Sequence, residues 1–156
     1  MKRFREKETE ELKKYRNDFR DNFAYIESFC KKKFKGKFNL DLLSKQTNLA
    51  EICREEIVEL IEQDYIRSNS YNFEIRPSVK NATDFLRKEI LNEKIDVTYR
   101  GNVERAVFDL LKEIRDNLVH YGKFEVDDAQ YDRNFILIKN ATLITATLIN
   151  EKMEDE

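Results

Sequence analysis

The chain has three glycines and one proline in 156 residues. Sheet proteins turn every few residues and use Gly and Pro to do so, so this scarcity argues against an all-β fold. Long helices with few connections are what the composition allows. Cysteine is also scarce. Cys30 and Cys53 show no metal-ligand spacing and read as small buried residues of a reducing compartment. No apolar run approaches the length needed to span a membrane. The N-terminal stretch MKRFREKETEEL is charged and lacks a signal-type apolar region. There is no excess of positive charge either: 29 Lys and Arg face 31 Asp and Glu, for a net charge of −2. A global field that would gather nucleic acid is therefore absent, and any such role must rest on a local site. These features predict a cytoplasmic protein without a membrane segment.

Hydrophobic residues make up 40% of the chain and charged residues 38%. That suits a single domain over 1–156 with one modest core. Leu12, Tyr15, Phe19, Phe23, Ile26 and Cys30 recur at intervals of three and four and predict a helix over about 3–34. Gly36, within KKKFKGK, is placed to stop it. The lysines of that run read as a solvated helix end, with a phosphate contact as the other reading. A second helix is expected over about 40–66, with Leu49, Cys53, Ile57, Leu60 and Ile61 inward. The segment 67–79, which holds Pro77, reads as loop. Further helices are expected over about 82–92, with Phe85, Leu86 and Ile90 inward, and over 103–121, with Val107, Leu110, Leu111, Ile114 and Leu118 inward. Asn102 is a candidate N-cap and Gly122 a candidate stop. Asp127 and Gln130 suggest a capping box for a last helix to about 151. Its Ile- and Thr-rich core, NFILIKNATLITATLIN, has strand-like composition, but its unbroken length favours helix. The expected fold is an all-α, up-and-down bundle of four to five helices.

Histidine occurs once, at His120, five residues after Arg115. On an ideal helix His120 falls away from the Ile114–Leu118 stripe and lies one turn from Asp116, which could orient the ring. Arg115 lies about 140° from His120 on that wheel, so its long side chain or a loosened helix end must close the gap. An arginine suits phosphate oxygens and a histidine exchanges protons near neutral pH. The pair suits RNA cleavage by the 2′-hydroxyl, which requires no metal and no cofactor. Acid and base require two proton-transfer groups, so a twofold homodimer would supply the second histidine.

The stretch RDNLVH, residues 115–120, resembles the Arg, polar residue, three variable residues, His signature of HEPN-domain ribonucleases. The adjoining Tyr121–Gly122 and the position between two long helices are similar as well, over roughly 102–150. The resemblance implies a helical bundle that dimerises through its motif helices and cuts RNA at a composite site. Arg115 and His120 would then be catalytic, with Asp116 at the polar position. Asn117, between the two, and Tyr121 and Lys123, just after the histidine, are the candidates for contacting RNA. A toxin or antiviral-defence role is implied, with an antitoxin or defence-system protein as partner. In one toxin branch, paired with nucleotidyltransferase antitoxins, a tyrosine stands two residues after the histidine; here that position is Gly122. The alternative reading is a non-catalytic HEPN-like module that binds RNA, nucleotide or a protein.

Overall fold

The computed structural model describes residues 10–70, 77–117 and 128–153. The described residues form seven helices and no strand: α1 Glu10–Lys33, α2 Leu40–Ser44, α3 Leu49–Ile52, α4 Arg54–Ser70, α5 Pro77–Leu91, α6 Val103–Asn117 and α7 Asp128–Lys152. The all-α class expected from composition holds. The expectation of four to five helices counts the five longer ones; α2 and α3 are additional.

The single helix expected over 40–66 is broken twice. Leu49, Cys53, Ile57, Leu60 and Ile61 are all buried as the stripe requires, but the backbone before them is not continuous. Asn39 caps α2 by accepting from the Leu42 N–H at 3.1 Å, and the Ser44 hydroxyl donates to the Asp41 carbonyl at 2.8 Å. The following KQTN stretch is rich in side chains that compete for backbone hydrogen bonds. Cys53, at φ −127°, then offsets α3 from α4. The loop expected over 67–79 is contradicted at both ends, because α4 continues to Ser70 and α5 begins at Pro77; residues 71–76 lie outside the described residues. Proline suits a first helical turn, where its missing N–H would have had no partner.

The ends of α1 and α6 follow local chemistry. Gly36, at φ +88°, lies just past α1 and donates to the Lys31 carbonyl at 2.6 Å. Asn102 caps α6, accepting from the Arg105 N–H at 2.8 Å. The stop expected at Gly122 and the cap expected at Asp127 lie outside the described residues.

Helix α7 packs against both α1 and α4, α4 against α5, and α5 against α6. Tyr15 meets Phe135 and Thr142, whereas Asn22 meets Thr142 and Thr145. The contacts advance together, so α1 and α7 run parallel. Arg54, at the start of α4, reaches the Ile90 carbonyl near the end of α5 at 3.0 Å, so that pair is antiparallel. The core runs through these contacts, with Phe19, Ile57, Leu86, Leu111, Ile144 and Leu148 essentially fully enclosed.

Strand-like composition does not prevent α7 from being helical. Thr142 and Thr145 each return their hydroxyl to the carbonyl four residues back, at 2.7 and 2.8 Å. Their polar atoms are thereby satisfied inside the core without leaving the helix. Asn140, one of two asparagines in a glycosylation-type triplet, is also buried and donates to the Ile136 carbonyl.

Candidate functional site

Arg115 lies in the last turn of α6. Leu110 and Leu111 pin one side of that helix into the core, and Ile114 packs at its edge. Arg115 therefore emerges beside α1 with 31% of its side chain exposed. Its guanidinium carbon stands 4.7 Å from the centre of the Phe23 ring, within range of a cation–π interaction. Phe23 is 3% exposed and packs edge-on to Phe19. The arginine thus lies on the rim of the aromatic core.

Two carboxylates hold the guanidinium. Nη1 donates to Glu27 Oε1 at 2.7 Å, across 88 positions of sequence. Nε donates to Asp116 Oδ1 at 2.9 Å. Of five guanidinium hydrogens, these bonds use two; Nη2 makes no hydrogen bond to the other described residues. Asp116, assigned from the sequence to the neighbourhood of His120, therefore contacts Arg115 directly. An i,i+1 contact was not the expected geometry, since successive residues point about 100° apart; the long arginine stem bends back to make it.

The other assigned residues are not all in view. Asn117 closes α6. His120, Tyr121 and Lys123 lie outside the described residues. The structure thus brings together Arg115 and Asp116, and adds Glu27 and Phe23, which sequence reasoning did not assign to the site. Phe23 was legible only as a core position. Glu27 sits beside the buried α1 stripe, and nothing in its local sequence points to α6.

A second polar cluster lies at the opposite end of α6. Arg105 donates through Nε to Asp109 Oδ1 at 3.1 Å and through Nη1 to Asp41 Oδ1 at 2.8 Å. The Tyr99 hydroxyl donates to Asp109 Oδ2 at 2.5 Å. Burial, and then the Asp109 carboxylate, push the Tyr99 hydroxyl well above the ordinary phenol value. A depression of about 300 Å³ opens here, lined by Asp41, Tyr99, Arg100, Gly101, Arg105 and Asp109. Only the Arg105–Asp109 part was legible, as an i,i+4 pair. Nearby, burial raises the Glu104 carboxyl, although it accepts from the Ala50 N–H at 3.4 Å. A larger depression of about 460 Å³ lies along α4, lined by Arg54, Glu55, Val58, Glu59 and Glu62. Its three carboxylates suit an RNA backbone poorly. Arg115 lines neither depression.

Burial pushes the Cys30 and Cys53 thiols up to about 11, as expected of structural rather than reactive cysteines. Among the described residues no group of three or more His, Cys, Asp or Glu side chains could hold a metal ion. No described helix is long and apolar enough to cross a membrane. Comparison of the chain with protein-family models, curated proteins and solved structures finds no match to any of them.

Proposed function

We propose that the chain is a HEPN-like, metal-independent endoribonuclease, active as a homodimer and serving as a toxin or in antiviral defence. The observation that carries this reading is the state of Arg115. It is a partly exposed guanidinium, oriented by two carboxylates and an aromatic ring at the end of a core helix, five residues before the only histidine.

The chemistry assigns a role to each group. One His120 takes the 2′-hydroxyl proton as that oxygen attacks the adjacent phosphorus. The P–O5′ bond breaks, and the second protomer's His120 protonates the departing 5′-oxygen. Arg115 stabilises the charge that builds on the phosphoryl oxygens. The products are a 2′,3′-cyclic phosphate and a 5′-hydroxyl. General acid–base catalysis contributes about 10²–10⁴-fold, and a charge-stabilising donor about 2.7–4 kcal/mol.

His120→Ala is therefore expected to lower RNA cleavage by at least about 10²-fold, with activity indifferent to EDTA. Expression of the wild-type chain should arrest growth, and expression of His120→Ala should not. Cleavage by His120→Ala at the wild-type rate would sink the assignment.

The non-catalytic alternative has a specific observation in its favour. Glu27 and Asp116 together outweigh the single charge of Arg115, as suits an arginine serving as a helix-to-helix tie. On that reading the chain is a HEPN-like module that binds RNA, nucleotide or a protein partner. Wild type and His120→Ala would then be equally tolerated by cells.

A further inference from the structure

The Arg115 side chain is held from another helix, and the holder is Glu27. We propose that Glu27 is a positioning residue for that reaction, setting the direction in which the Arg115 guanidinium is presented to the scissile phosphate. This deepens the ribonuclease reading and rests on it.

The geometry supports positioning rather than simple charge cancellation. A guanidinium on a flexible stem can rotate about several bonds, and a phosphate contact requires its plane to be set. Three independent contacts define that plane here. The Phe23 face lies beneath it, Glu27 holds Nη1 and Asp116 holds Nε. Asp116 is carried on the same helical turn and moves with Arg115. Phe23 and Glu27 both belong to α1 and are one turn apart, so α1 supplies a fixed reference. Of the two, only Glu27 fixes rotation within the plane, because the ring attracts the cation without choosing an in-plane direction. Neither of these two bonds uses Nη2, which in the proposed reaction carries the phosphate contact.

The test compares wild type, His120→Ala, Glu27→Ala and Glu27→Gln on a single-stranded RNA oligonucleotide. Exchange of the Arg115 Nη–H groups is followed by ¹⁵N-resolved NMR, with the resonances assigned from Arg115→Lys. Loss of the reference should lower kcat of Glu27→Ala by about 10- to 100-fold, the scale of a misplacement near 1 Å. KM should stay within about twofold, since the cation itself remains. Glu27→Gln keeps an acceptor oxygen and should restore part of the lost turnover. The Nη1–H should exchange faster in Glu27→Ala than in wild type, because its Glu27 acceptor is gone.

Wild-type kcat in a folded Glu27→Ala overturns the proposal and leaves the nuclease assignment standing. So does a rise in kcat, which would make Glu27 a competitor of phosphate. If wild-type protein does not cut RNA, the nuclease reading falls, and the proposal falls with it. The exchange rate then still reports whether Glu27 orients Arg115. Should Glu27→Ala not fold, Glu27→Gln carries the same readouts, and unchanged kcat and exchange there overturn the proposal.

Discussion

Replacing Arg115 perturbs two things at once, and the structure allows them to be separated. Arg115→Ala removes the Glu27 ion pair and the Phe23 contact as well as the cation proposed to act on the phosphate. The ion pair is between two side chains that are 31% and 28% exposed. An unscreened estimate at an effective dielectric near 20 is about 4 kcal/mol at 4 Å, whereas cycles on exposed pairs measure about 0.2–1 kcal/mol. With both groups about one-third exposed, solvent screening favours the lower range, about 1 kcal/mol. The cation–π contact adds about 0.5–1 kcal/mol. Arg115→Ala should therefore lose about 2 kcal/mol, a fall in Tm of about 4–8 °C for a chain of this size.

Domains are stable by about 5–15 kcal/mol, so a 2 kcal/mol loss leaves the protein folded at 25 °C. An activity loss of about 10²-fold or more in Arg115→Ala would then be chemical rather than structural. The assay is urea unfolding of wild type, Arg115→Ala, Glu27→Ala and the double variant, at low and high salt. A coupling energy near 1 kcal/mol that shrinks in salt is expected. Coupling indistinguishable from zero would refute the reasoning, because the two side chains would then not be paired in solution.

Two further outcomes are expected. Cys30 and Cys53 hold their protons up to about 11 in the folded chain, against 9.0 for an unburied thiol. The unfolded chain releases them first, so stability is unaffected below about pH 9 and falls between 9 and about 11, by at most about 3 kcal/mol per thiol. Urea midpoints across that range check it, and both thiols should resist a disulfide reagent until the chain unfolds. Gly101→Ala would place a Cβ 2.7 Å from Tyr99 and 2.8 Å from Arg105, costing about 1–3 kcal/mol. Ultraviolet titration should then show Tyr99 ionising at lower pH than in wild type, as its bond to Asp109 is disturbed. An unchanged titration and melting curve would show that the loop absorbs the methyl group freely.

Much of the fold was legible because burial repeats along a helix. The stripes of α1, α4 and α6 were readable at spacings of three and four, and the caps at Asn102 and Gly36 act through neighbours in sequence. The break at 45–48 was not legible, because Leu49 and Cys53 keep the period of a helix that the local backbone does not follow. α7 needed an argument from length, since its threonines favour strand until their hydroxyls find carbonyls one turn back.

Composition and periodicity by themselves determined that the chain is helical, which faces are buried, and that Arg115 stands off its core stripe. These follow from short-range geometry, where one turn of backbone relates each residue to the next few. Tertiary structure alone decided what Arg115 touches. Glu27 lies 88 positions away, and Asp41 meets Arg105 across 64. Such pairings depend on which helices pack together, and that is set by the mutual fit of whole apolar faces rather than by any local pattern.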